Sequence, residues 1–269
     1  MSGPKALFLF FLGISSLVSC GGKRDDDLSV RLDGVARNPP AASLQGAGFR
    51  IRDVTNPGNQ ARPAVNSIVT VTGVGVVAID NFDETRNGKS HGTIFVQDLG
   101  EPVPFSGVSL YDPTFVPGDL RVGAGDVLDF TGVYQETAAI GTAVFPKGQV
   151  LPQLAKPVGT FRYETATGIT PAKVPLEDLG DYAKGRKWIG MLVTVENVTV
   201  TQAPRRDSSN RLSAALTAAA ANAPTLTNEL SDLTDADVAL GTRYRSVTGV
   251  VTYFFSLHLA PRSRGDLVK

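Results

Sequence analysis

Cysteine is nearly absent: Cys20 is the only one in 269 residues. No intramolecular disulfide is possible, and zinc sites built on paired cysteines are excluded. Histidine is almost as scarce. His91 and His258 are the only two, and neither has the close His/Cys/carboxylate spacing of a metal site. Net charge is missing too, with 26 Lys and Arg balanced by 26 Asp and Glu. That balance lacks the basic footprint of a dedicated nucleic-acid binder, while still permitting a local basic groove. The uncharged apolar run at residues 6–18 is too short for a transmembrane helix, which needs about 20 residues to cross about 30 Å of hydrocarbon.

That run has another use. Lys5 precedes it and Leu17-Val18-Ser19-Cys20 ends it, the layout of a signal peptide. The ending resembles the lipobox of bacterial lipoproteins. The resemblance implies cleavage before Cys20, a diacylated sulfur and an acylated new amino group. An ordinary secretory signal with a nearby cysteine is the alternative. Small Ser19, and a sole cysteine placed directly after the run, favour acylation over a free thiol. Each buried CH₂ of a lipid chain contributes about 0.8 kcal/mol, and more than one chain gives stable anchoring. Gly21-Gly22-Lys23-Arg24-Asp25-Asp26-Asp27 then reads as a tether. With Gly21 rather than Asp after the cysteine, the enterobacterial sorting rule points to the outer membrane.

Beyond the tether the chain is rich in 28 Gly and 17 Pro, and β-branched runs sit between turn residues, as in an all-β sandwich or barrel. The clearest cover residues 67–80, 92–98, 107–111 and 126–136; a weaker one lies near 148–158, where prolines suit an edge strand. A second series begins at Trp188. Residues 191–201 alternate, with Leu192, Thr194, Glu196 and Val198 on one face and Val193, Val195 and Asn197 on the other. Residues 244–255 form another strand and run on to Leu257 and Leu259. Between them, 212–223 is Ala-rich and could be helical by propensity, but the phase of the series favours strands near 212–217 and 225–230.

The two series read as a divergent repeat. Val69-Thr70-Val71-Thr72 opens one and Leu192-Val193-Thr194-Val195 the other. Gly125 precedes Phe130-Thr131-Gly132-Val133-Tyr134, as Gly241 precedes Val247-Thr248-Gly249-Val250-Val251. Glycine inside a strand marks a bulge or sharp bend. The pattern of Ile94-Phe95-Val96-Gln97-Asp98, Gly107-Val108-Ser109-Leu110-Tyr111, Gly125-Asp126-Val127 and Thr131-Gly132-Val133 is similar to the OB-fold-like accessory module of secreted bacterial nucleases and other cell-surface proteins. Residues from Trp188 to Leu267 look like a second member. The resemblance implies an all-β chain with two tandem five-stranded Greek-key barrels and carries over no catalytic residue. The expected layout is a signal peptide at 1–19, acylated Cys20 with tether and extension at 20–63, a first domain at 64–160, a linker at 161–187 and a second domain at 188–269.

The sequence offers echoes of reactive motifs, and each departs from its pattern at a required residue. Asn87-Gly88-Lys89-Ser90 echoes the end of a phosphate loop, but Asp83 stands where the first glycine belongs. Asp80-Asn81-Phe82-Asp83-Glu84 fails the EF-hand pattern because Arg86 replaces its glycine, and a solvated hairpin loop is expected instead. No Gly-x-Ser-x-Gly elbow is present. No cofactor, metal site or enzymatic activity is expected. OB folds bind single strands through aromatic stacking beside a positive groove. The candidates are Phe95, Tyr111 and Tyr134 in the first copy, and Tyr244, Tyr253 and Phe255 in the second with Arg243, Arg245, Arg262 and Arg264. Core packing of the rings and salt bridging of the last two arginines are the competing expectation. The sequence thus points to a lipid-anchored envelope protein that binds single-stranded nucleic acid, a glycan or a protein. A structural role in an envelope assembly is the alternative, and an accessory part of a secreted hydrolase system the third.

Overall fold

Val69 and Val71 set the first strand: both are buried on one face, with part-exposed Thr70 between them. The alternation would then leave Val74 outside, but Gly73 adopts a positive φ of 62° and flips the strand, so that Val74 and Val76 re-enter the same core. This is β1 (Ile68–Ile79) in a computed structural model that describes residues 48–89, 92–116, 122–165, 169–216 and 224–269. Cys20 and His91 lie outside the described residues.

The chain is mostly β. In its first half β2 (Ile94–Asp98), β3 (Gly107–Tyr111), β5 (Asp126–Thr137) and β8 (Leu151–Thr165) join β1. β4 (Thr114–Val116) continues along β8 beyond β3. β1 pairs antiparallel with β2 and β5, β2 with β3, β5 with β8, and β3 runs parallel to β8. Those pairings close a ring of five strands. β8 is therefore paired on both sides, not at an edge. It tolerates its prolines because β3 takes residues 153–155 and β4 takes 158–160, leaving Pro152 and Pro157 at the breaks, where no amide is needed.

The second half repeats the circuit. β10 (Leu192–Thr199), β12 (Leu212–Ala215), β13 (Thr225–Thr227), β14 (Arg243–Phe254) and β15 (Ser256–Ala260) follow in order. β10 pairs with β14, β14 with β15, β12 with β13, and β13 runs parallel to β15. A single bridge between Val200 and Leu216 closes the ring. β9 (Ala172–Lys173), β11 (Arg205–Arg206) and β16 (Leu267–Val268) extend this sheet. Residues 212–215 are strand, as the phase of the repeat requires; 217–223 lie outside the described residues.

Equivalent residues emerge from the pairing. Val69 faces Gly132 as Val193 faces Gly249, and Thr70 faces Thr131 as Thr194 faces Thr248. Both threonine pairs join through their hydroxyls, at 2.9 and 2.8 Å. Counting on from Val69 and Val193, Gly73 matches Asn197, and Asn197 too has a positive φ, 55°. Its flip returns Val198 to the core beside Val193 and Val195; unbroken alternation would have put Val198 on the opposite face.

Segments outside the expected domain limits also pack on these bodies. Phe49 bridges Val71, and α1 (Ile51–Thr55) buries Ile51 and Val54 in the first core, ahead of residue 64. α1 is held by Asp98, whose carboxylate accepts from the Ile51 and Arg52 amides at 2.7 and 3.1 Å. Within 161–187, β8 runs on to Thr165, and β9 pairs with β10. Two 3₁₀ turns flank α2 (Tyr182–Gly185) and lead to Trp188, buried in the second core. Both sheets belong to one compact unit.

Candidate functional site

The outward face of β2 shows how the bodies meet. Ile94 and Val96 point into the first core, so Phe95 and Gln97 point away from it. Phe95 does not reach solvent. It packs with Val77 and Ala78 against Leu192, Leu230, Val250 and Ala260 of the second body. The Gln97 side chain accepts from the Leu192 amide at 2.9 Å and donates to the Thr170 carbonyl. Backbones almost touch nearby: a Cβ on Gly107 would stand 2.5 Å from the Gly190 carbonyl carbon. The first body's β2–β3 face is covered by the second.

At the rim of this contact lies a buried acidic seam. Asp80 and Glu84, from the segment after β1, are 1% and 2% exposed. The solvated loop expected there is instead folded against the second body. Glu84 pairs with Arg211 at 2.8 Å and its carbonyl accepts from Asn210 at 3.0 Å. Glu229, across the seam, accepts from the Thr252 hydroxyl at 2.7 Å. Among the described residues Asp80 Oδ1 has no hydrogen-bond partner. Burial, and then the charges of Glu229 and Glu84, push its carboxyl up to about 7 against the pull of Arg211. His258, part-buried on β15 and 2.9 Å from the Ser256 hydroxyl, is held neutral by burial, its pKa lowered to about 4. Among the described residues no group of three or more His, Cys, Asp or Glu is arranged to hold a metal ion.

Beside the seam, the Asn87-Gly88 amides turn inward to a protein carboxylate. Both donate to Asp83, at 3.1 and 2.6 Å, so the residue that breaks the phosphate-loop pattern also takes its amides.

The sequence candidates are distributed rather than gathered. Tyr134 is buried in the first core and donates to Glu136 at 2.9 Å. Tyr244 is buried in the second, its hydroxyl on the Asp237 carbonyl. Tyr253 is buried as well and donates to Gln149; burial pushes its phenol up to about 12. With Phe95, these four rings are not available for stacking. Arg262 is held by Asp266, and Arg264 by Asp232 and Asp237. Arg243 and Arg245 are exposed at one end of β14, while Phe255 is exposed beyond its other end and Tyr111 at the end of β3. The second body's β12–β13 outer face carries Ser213, Ala215 and Thr225, with no ring on which a base could stack.

One apolar surface was not foreseen. Between β5 and β8 the chain makes a hairpin, β6 (Ala139–Ile140) and β7 (Ala143–Val144), turning at Gly141 with φ 58°. Phe145 follows it and leaves the first body to pack in the second core, edge-on to Tyr253 at 4.9 Å and Phe255 at 5.3 Å. Phe254 and Phe255 stand 4.9 Å apart, 44% and 41% exposed, and Val144 is 71% exposed. The connection from β5 to β8 and the turn from β14 to β15 hold equivalent places in the two rings, and they meet here. The only advance signal was the uncharged run at 137–146. No family model, no curated protein and no solved structure matches the chain.

Proposed function

We propose that the chain is a lipid-anchored protein of the bacterial envelope, acylated at Cys20, whose paired OB-fold-like barrels serve as a non-enzymatic binding module. The reading of two such barrels rests on the identical strand circuit in both halves, one parallel pair in each ring. The observation that bears most on function is the covering of the β2–β3 face by Phe95 and Gln97 contacts. Loops and turn tips, rather than that sheet face, are left to meet a partner. A single-stranded nucleic acid is the least suited of the ligand classes, because the aromatic rings are buried or scattered and two of the arginines are held by carboxylates.

Cell fractionation tests the anchor: the parent chain is expected with the outer membrane, and C20S, which loses both the acylated sulfur and the cleavage before it, is expected to leave that fraction. An unmodified sulfur by mass spectrometry refutes it. A binding titration with single-stranded oligonucleotides at two salt concentrations tests the second point. Tight binding that weakens steeply with salt would restore the nucleic-acid reading.

A further inference from the structure

The geometry points to a contact between the apolar apex of the molecule and a lipid bilayer, with Val144, Phe254 and Phe255 entering the headgroup boundary. This rests on the acylation of Cys20 proposed above, which brings a bilayer within reach.

Four observations carry it. The apex consists of turn tips rather than a groove: a hairpin turning at Gly141 and a turn at Phe255, joined through Phe145. Turn tips with exposed apolar side chains match a fluid surface that closes around them. Charge is absent over residues 138–146 and 252–257, and Lys147 follows directly. Neutral tips with a cation behind them suit a bilayer carrying anionic headgroups.

Phe255 also sits at a positive φ of 59°. A bulky side chain there is strained, and Gly or Asn would relieve it. The ring is nevertheless 41% exposed, so filling a core does not explain the residue, whereas insertion into lipid gives a large exposed ring a role. Reach is the fourth observation. From Cys20 to the first described residue the chain can extend at most roughly 90 Å, at about 3.3–3.6 Å per residue.

The test uses the acylated full chain in vesicles of phosphatidylethanolamine and phosphatidylglycerol. With Cys20 acylated, a cysteine introduced by V144C is the only free thiol and takes an environment-sensitive fluorophore at one place. L240C is the control: Leu240 is an exposed apolar residue before the far end of β14 from Phe254. A blue shift and quenching by spin-labelled lipid at position 144, absent at 240, are expected. F254S/F255S in the V144C chain is expected to abolish the shift. A water-like signal at 144, or equal signals at 144 and 240, would overturn the proposal. Should mass spectrometry find Cys20 unmodified, the anchor reading fails by itself. C20S/V144C with the same vesicles then judges the apex separately: no shift refutes it and a shift sustains it.

Discussion

Asp80 gives the sharpest quantitative expectation. Its carboxyl is buried at the contact between the two bodies, one oxygen lacks a partner, and Glu84 and Glu229 add negative charge. A carboxyl that titrates near 7 rather than 3.8 is protonated in the folded chain over a range where the unfolded chain has lost the proton. The folded state therefore binds more protons between those values. The contribution of Asp80 to stability is greatest below about 3.8, declines as pH rises towards 7, and levels off above it. The full gap corresponds to on the order of 4 kcal/mol. Arg211 is partly exposed and lets solvent screen the seam, which reduces the expected effect to about 2 kcal/mol. D80N removes the ionisation and supplies an amide that can donate to a neighbouring carboxylate. It should match the parent at pH 4 and exceed it by about 2 kcal/mol at pH 8, measured by urea unfolding across that range. A variant less stable than the parent at pH 8, or a difference that does not change with pH, refutes the reasoning.

Further substitutions probe the other joints. G107A places a Cβ 2.5 Å from Gly190 and Met191 backbone atoms, and should cost about 2–3 kcal/mol, since neither neighbour is a flexible side chain; thermal unfolding measures it. G73A should cost about 1 kcal/mol, because φ 62° strains any side chain, whereas N197G at the equivalent bend should be neutral within a few tenths. Replacing Gln97 with Ala strands the Leu192 amide and should lower stability by about 1–3 kcal/mol. R262A removes an exposed pair with Asp266 and should change stability by less than about 1 kcal/mol, with no effect on oligonucleotide affinity if the arginine only closes the C-terminal turn.

The repeat was legible because its signals are local. Gly132 and Gly249 are glycine for the same reason: a Cβ at either would stand 2.9 or 2.8 Å from the backbone of the last strand of its ring. Facing was less legible. Period-two reading fails at Gly73 and Asn197, where one left-handed residue exchanges the faces of the strand. Gly73 stands out in its strand as a glycine, whereas Asn197 fits the alternation of its run, though asparagine tolerates this conformation better than most. The candidate rings failed as a group for a different reason. Phe95 does alternate away from its own core, as a ligand-stacking ring would, but it is covered by residues from Leu192 to Ala260, far along the chain. No local pattern reports a partner that distant.

The covered face also sets the two copies apart. The first copy offers the outer face of β2, Phe95 and Gln97, to residues from β10, β14 and β15 of the second. This is a head-to-tail contact between unlike surfaces, a kind that propagates if the second copy presents the same face onward. It does not. On the second ring the positions of β12 and β13 that face away from its core are Ser213, Ala215, Thr225 and Thr227, too small to replace an aromatic anchor and an amide pair. The divergence between the copies thus removes the adhesive face from the second copy, and the apolar surface left at the apex is built from the turns of both copies rather than the sheet of either.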